Sequence, residues 1–394
     1  MITREDIRQL AQFQFEEKDK EACALSFYFQ PRPPRDKSHR EEAILAKDLV
    51  RNAMREAEKN GKNGCARADL LRMLSVAENL GGNQTRAKAV FACGARKFWR
   101  EYDLPPELPG SQLFVNNHFH LKPLALLLGA QRRICIALVN RQRARLFDFR
   151  LDELKEREGL YSPVPRRTRS DGYAGYNAGH HERHVAEEAL HHYKDVAARL
   201  KDEAEKGVWE KLIIGCQDNH WPEFEPQLHP YVLQRLLGRF STDVATATSE
   251  NIRDHASHVL AEARDNRRKS LIREALNQAK SNNRGVTGLR RVLRSLELGE
   301  VQTLLMGDNY SARAVECPNC GHLDPHIVRN CPVCGRATHE LEDITDAIIS
   351  SAIRRDIELF YVKDDPEFDR AGNIAALLRF RADQTRGTGI AVAS

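Results

Sequence analysis

At 394 residues, with 41% hydrophobic and 30% charged side chains, the chain is long enough for two or three domains and too apolar for a disordered polymer. The N-terminal MITREDIRQL is charged throughout, which argues against a secretory leader, and the longest apolar run, LALLLGA from Leu124 to Ala130, is far shorter than the roughly 20 residues that span a bilayer. A soluble, cytoplasmic protein is expected, and its net charge of +5 is informative through its placement rather than its size.

The first segment, residues 1–129, opens with a helical stretch followed by the strand-like ALSFYF, Ala24 to Phe29. QPRPPRD ends that strand, because proline lacks a ladder donor and restricts the residue before it. Ile44, Leu45, Leu49 and Ala53 give helical spacing over His39 to Asn60, and KAVFAC at Lys88 and SQLFV at Ser111 have the length and character of strands. An α+β domain is the economical reading.

Residues 130–252 form the expected second domain. Ile134, Ile136 and Leu138 alternate with their neighbours, NRQ turns the chain, and ARLFDF returns as a strand. A glycine-rich loop leads into a helix from Asn177 to about Leu200, and EKLIIGC, Glu210 to Cys216, reads as a buried strand. Strand, helix and strand together predict a layered α/β domain. The third domain, 253–394, begins in a long polar helix. It continues through a short helix bearing Leu289, Val292, Leu293 and Leu296, the strand VQTLLM, a helix from Ile344 to Arg354, and the strand candidates DIELFYV and NIAALLRF. No repeat of fixed period and no low-complexity tract interrupts this order.

Of the nine cysteines, Cys23, Cys65, Cys93, Cys135 and Cys216 are scattered singly, as reduced buried thiols are. Cys317, Cys320, Cys331 and Cys334 are bunched in CPNCGHLDPHIVRNCPVCG, two Cys-Pro-x-Cys-Gly knuckles ten residues apart. Each knuckle aims two thiolates at one point, so the pair predicts a four-sulfur zinc ribbon at 315–340. Four protein ligands leave no open position for water, which makes the role structural. His322, His326 and His339 lie nearby and read as surface histidines.

Basic residues cluster twice. From Arg264 to Arg294 there are ten Lys/Arg against two acidic residues, and Arg166, Arg167 and Arg169 precede the glycine-rich DGYAGYNAGHHERHV at Asp171 to Val185. One such cluster reads as a solvated face; two weigh a nucleic-acid partner equally with solvation. Gly172, Gly175 and Gly179 fit neither a dinucleotide nor an NTP loop, and HERHV spaces its histidines three apart where a zinc protease needs four. Val185, Ala186, Ala189, Leu190, Tyr193, Val196, Ala197 and Leu200 share one helix side, leaving His180, His184 and His191 as a polar stripe on the other. With Asn177 as N-cap, the loop offers free backbone N–H groups and a positive dipole end to phosphate, and Tyr173 and Tyr176 offer rings to bases. A surface loop without a ligand is the equal alternative.

The order of FVNNHFHLKPLALLLGAQRRICIALVNRQRARLFDF, a basic loop, a glycine-rich tip, a long helix, KLIIGC, GLRRVLRSLELGEVQTLLM, a cysteine insert and GNIAALLRF resembles the archaeo-eukaryotic class 1 translation release factors and their bacterial homologues. That superfamily includes Pelota, a ribosome rescue factor, and Balon, a hibernation factor. The resemblance implies three domains: one facing the decoding centre, a central one whose loop enters the peptidyl-transferase centre, and a C-terminal one that contacts partner proteins. Two departures matter. The tip has YNAGHHERHV without Gly-Gly-Gln, the nearest match being GGNQ at Gly81 to Gln84 in another domain, and the stop-codon motif Asn-Ile-Lys-Ser is absent.

The expected function is therefore a non-catalytic ribosome-binding factor acting in hibernation. It would occupy the A site and contact rRNA through Arg166, Arg167, Arg169, Tyr173, Gly175, Tyr176, Asn177, Gly179, His180, His181 and His184, with a translational GTPase such as elongation factor Tu as partner. The alternatives are Pelota-like rescue of stalled ribosomes, and a hydrolase using the histidines of the tip helix.

Overall fold

The computed structural model describes residues 2–13, 23–29, 39–59, 63–78, 87–104, 111–116, 118–125, 132–150, 153–157, 159–162 and 175–382. It divides into two compact units, one formed by 1–129 with 270–394 and the other by 130–269. Both are mixed α/β.

In the first unit, β1 (Ala24–Phe29), β2 (Ala87–Cys93), β3 (Phe98–Leu104) and β4 (Gln112–Asn116) make an antiparallel sheet in the order β3-β2-β1-β4. Every residue of β1 is buried, because the sheet is covered on both faces. Leu25, Phe27 and Phe29 pack under the helices His39–Lys59 and Asn63–Glu78, while Ala24 and Tyr28 join a second cluster that includes Met306, Ile349 and Ile353. The expected strands and the helix at His39 are present; β3 and the helix at Asn63 are additions. Cys23 and Cys65, read as separate thiols, are instead joined as a disulfide with Cα atoms 5.7 Å apart. Their 42-position separation carries no pattern, and the pairing follows from the apolar cluster that brings the start of β1 to the first turn of that added helix. QPRPPRD and GGNQ lie outside the described residues.

The second unit holds β5 (Ile134–Val139), β6 (Arg143–Arg150), β7 (Glu153–Glu156), β8 (Leu160–Tyr161), β9 (Lys211–Gly215) and β10 (Leu236–Phe240), in the order β10-β9-β5-β6-β7 with β8 on β6. β5, β9 and β10 run parallel, and β6 returns antiparallel to β5. One face, through Cys135, Ala137, Leu146, Leu212 and Ile214, packs on the helix Gly175–Glu205 and on Trp209, Phe224 and Val232. The other, through Ile136, Leu138, Phe147 and Ile213, packs on Ile252, Ala256 and Val259 of the long helix Ser249–Lys280. This is the layered α/β arrangement that strand, helix and strand predicted.

Back in the first unit, β11 (Gly285–Thr287), β12 (Val301–Gly307), β16 (Glu358–Val362) and β17 (Ile374–Leu378) form a sheet in the order β11-β17-β12-β16. The helices Leu289–Glu297 and Thr345–Arg354 cover one face; Leu271, Ile272, Ala275 and Leu276 cover the other. Between β12 and the second helix stands a small sheet of β13 (Ala314–Glu316), β14 (Leu323–Asp324) and β15 (His339–Leu341), ordered β14-β13-β15. No helix among the described residues is long and apolar enough to cross a membrane.

Candidate functional site

The cysteine hairpin is built by its turns. In each knuckle the glycine after the second cysteine donates its N–H back to the carbonyl of the first: Gly321 to Cys317 at 2.8 Å and Gly335 to Cys331 at 2.9 Å. Gly321 has φ 70° and Gly335 φ 73°, a left-handed backbone that a side chain would disfavour. The two turns bring the sulfurs of Cys317 and Cys334 to 3.4 Å and those of Cys320 and Cys331 to 3.6 Å, with all four within 4.8 Å of one another. A tetrahedral ion with 2.3 Å bonds to sulfur needs edges of about 3.8 Å, so the four thiols fit a single metal ion. Nδ1 of His322 lies 2.8 Å from Glu297 instead, and among the described residues the group that could hold a metal consists of the four cysteines.

Glu316, the residue before the first knuckle, faces His118 with 2.6 Å between Nε2 and Oε2. Nearby, His120 Nδ1 lies 2.8 Å from Asp346, and Asn116 donates to the same carboxylate at 3.1 Å. Sequence reasoning gave these histidines no role, because their partners lie about 200 residues away.

The tip helix runs Gly175–Glu205, so it starts earlier than the sequence suggested and Asn177 sits within its first turn rather than at its N-cap. Gly175, Tyr176, Asn177, Gly179, His180, His181 and His184 thus share a helical backbone, and their side chains lie outside the described residues. Arg166, Arg167, Arg169 and Tyr173 also lie outside them. Further along, Ala189, Tyr193, Val196, Ala197 and Leu200 are buried and His191 is exposed, as the periodicity predicts. Ala186 and Leu190, placed on the apolar side by the same periodicity, are exposed.

The neighbouring His192, which the sequence reading passed over, is 1% exposed, with Nδ1 2.9 Å from Ser162 Oγ. Beneath the helix, Arg157 donates to Glu203 at 2.9 Å and to the sulfur of Cys135 at 3.2 Å, and is ion-paired with Asp148 at 3.0 Å. Burial pushes the Cys135 thiol up to about 12 and that of Cys216 up to about 11, so neither offers a thiolate nucleophile at neutral pH.

Two histidines make stability respond to pH with opposite signs. Burial pushes His192 below its ordinary value, so its neutral form favours the folded state. Its contribution is complete above the unfolded value near 6.5 and is lost as pH falls below it. At His118 burial, the largest influence, opposes the charged form, but the hydrogen bond and charge of Glu316, with Asp346, outweigh it and raise the pKa. Its contribution is complete below about 6.5 and fades as pH rises through the folded value. Histidine NMR titration is expected to place His192 below and His118 above free histidine. His192→Gln is expected to flatten the acid-side loss of melting temperature; coincident titrations of both residues at 6.5 would overturn the assignment.

Residues 120–268 match bacterial archaeo-eukaryotic release factor family 10. The chain is 25% identical to peptide chain release factor subunit 1 of Pyrococcus abyssi over 314 residues, covering 71% of this chain and 74% of that one. It is 25% identical to the same factor of Archaeoglobus fulgidus over 313 residues, covering 74% and 76%. Among solved structures, a ribosome-bound archaeal Pelota with ABCE1 aligns over 96% of this chain and 94% of its own at 12% identity, with a TM-score of 0.39.

Proposed function

We propose that this archaeo-eukaryotic release-factor-like chain is a non-catalytic, cytoplasmic ribosome-binding factor that occupies the vacant A site and acts in hibernation. One observation carries the reading. The segment matching the release-factor family contains the whole tip helix, yet no Gly-Gly-Gln occurs in it. A release factor uses that triplet to promote attack of water on peptidyl-tRNA; here the corresponding stretch is YNAGHHERHV, whose backbone is helical from Gly175.

On this reading the domains are 1–129, 130–252 and 253–394, and the central one carries the tip to the peptidyl-transferase centre. Arg166, Arg167 and Arg169 neutralise rRNA phosphates there, Tyr173 and Tyr176 stack on bases, and Gly175, Asn177, Gly179, His180, His181 and His184 line the contact. A translational GTPase of the elongation factor Tu type delivers the protein. Zinc occupies Cys317, Cys320, Cys331 and Cys334, because four thiolates in a tetrahedral set select it or an iron–sulfur cluster, and the paired Cys-Pro-x-Cys-Gly knuckles match a zinc ribbon. Its role is to hold the small β-sheet together.

Cosedimentation with purified ribosomes at low and moderate salt tests the reading. Binding to vacant ribosomes at both salts is expected, with loss of binding once the A site is filled and no release of peptide from peptidyl-tRNA. Failure to bind ribosomes or large subunits at either salt overturns it. Peptide release that vanishes in the His180→Ala, His181→Ala, His184→Ala triple variant assigns a hydrolase instead, and binding only to stalled complexes assigns rescue.

A further inference from the structure

The edge of the central sheet at which its parallel strands begin collects positive charge from separate stretches of the sequence, one of them the basic run that starts at Arg264. Backbone hydrogen bonds put three basic positions side by side: the Arg133 carbonyl accepts from Glu210 N at 2.8 Å and Lys211 N at 3.2 Å, and the Arg235 carbonyl accepts from Leu212 N at 3.0 Å. Adjacent strands are about 4.8 Å apart, so Arg133, Lys211 and Arg235 occupy neighbouring rungs, with Arg132 one residue before Arg133. Arg267, exposed on the long helix, adds its charge to theirs. Arg132, Arg235 and Arg267 thus all act on Lys211, with Glu210 as the opposing negative charge; Arg133 is itself paired with Glu210 at 3.5 Å. The other nearby acid on that helix, Asp265, is engaged by Arg268 and Lys269.

The cluster is ordered as well as charged. The Arg235 guanidinium lies 3.6 Å above the Tyr231 ring and donates to the Tyr231 hydroxyl at 2.7 Å, which fixes its plane beside an aromatic face. Burial, then the charges of Arg132, Arg235 and Arg267, push the Lys211 ammonium below its usual range. Such mutual repulsion costs folding free energy, and an anion placed among the four groups recovers it.

We infer that Arg132, Lys211, Arg235 and Arg267 form a second RNA-backbone contact, separate from the tip, that takes consecutive phosphates with Tyr231 as a flanking ring. The choice of RNA over an acidic protein rests on the ribosome-binding reading and on the planar, ring-stacked guanidinium, which matches phosphate and base faces together. Neutralising contacts of this kind releases counterions, with a slope of about 0.7 to 0.9 per phosphate in a plot of log affinity against log salt.

The test measures binding of the full chain to a fluorescein-labelled 16-base-pair RNA duplex across a salt series. Arg132→Gln, Lys211→Gln, Arg267→Gln combined is expected to lower the slope by about 2 and to weaken binding at least tenfold at low salt. Arg132→Lys with Arg267→Lys, which keeps the charge, is expected to retain the slope. The neutral variant is expected to melt no lower than the parent; should it melt lower, Arg267→Gln alone, on an exposed helix position, carries the test with a slope loss of about 0.8. An unchanged slope overturns the inference, and so does competition by polyglutamate as strong as by RNA of equal charge. Failure of this inference and failure of the ribosome reading are separable. Parent and variant cosedimenting equally with ribosomes overturns the patch alone; a parent that binds duplex through the patch but ignores ribosomes overturns the ribosome reading alone.

Discussion

Serine at both Cys317 and Cys331 is expected to remove about one bound metal ion per chain and to lower the melting temperature of the first unit by roughly 10 °C. These are the buried members of the quartet, at 0% and 2% exposure, so each oxygen that replaces a sulfur sits where water cannot substitute for the lost bond. Structural zinc supplies on the order of 10 kcal/mol in isolated fingers. Here the small sheet is also held by β13 pairing with β14 and β15 and by burial of Val315 and Leu341, so the loss to the larger unit is nearer 3 kcal/mol. At 2–4 °C per kcal/mol for a unit of this size, that gives the stated shift. The disturbance also reaches the N-terminal segment, because Glu316 adjoins Cys317 and holds His118. Elemental analysis with calorimetry provides the check. A parent protein that is metal-free with reduced thiols, and melts with the variant, sinks the metal site.

How far the sequence could be read depended on whether a residue's neighbours were close in the chain. ALSFYF, VQTLLM and NIAALLRF were recognisable as strands because burial on both faces leaves a continuous apolar run. FWREYDL, which forms β3, was missed because it lies at the edge of its sheet, where only Leu104 is buried and the apolar signal thins out. The helix Asn63–Glu78 had its signal in view: Ala66, Leu70, Met73 and Ala77 recur at helical spacing and all are buried. The cysteine knuckles were fully readable, since spacing alone brings two thiols of each pair together. Three glycines suggested a loop up to Asn177, yet the structure is helical from Gly175; extending a 31-residue helix through a glycine costs only about 1 kcal/mol, far less than starting one. The cations around Lys211 were invisible as a group, because strand order rather than sequence order assembles them.

Replacing Glu203 with alanine is expected to cost the central unit about 3 kcal/mol. The Glu203 side chain is 5% exposed, and it accepts from Arg157 at 2.9 Å and from Arg199 at 2.7 Å. Its removal leaves the Arg157 guanidinium, itself only 20% exposed, with the half-exposed Asp148 as its remaining carboxylate. Breaking a buried pair from one side costs about 3–5 kcal/mol, and Asp148 sets the loss at the lower end. Arg199 is 51% exposed, so Arg199→Ala is expected to cost less than about 1 kcal/mol even though it removes a bond of similar length. Removing both ends with Glu203→Leu and Arg157→Met is expected to cost less than Glu203→Ala alone, because no charge is then stranded. Urea unfolding of these variants together with Glu203→Leu and Arg157→Met alone decides the matter, and a double loss equal to the sum of its two single losses would refute the coupling. On the proposed reading the consequence extends to function, since Glu203 lies in the last turn of the helix whose first three turns carry Gly175 to His184. Arg157 joins that end to β6 through Asp148 and to β5 through the Cys135 sulfur. If the proposed ribosome binding holds, loss of this anchor is expected to lower the temperature at which that binding fails by roughly 10 °C, in step with unfolding of the central unit, without altering any metal content of the parent.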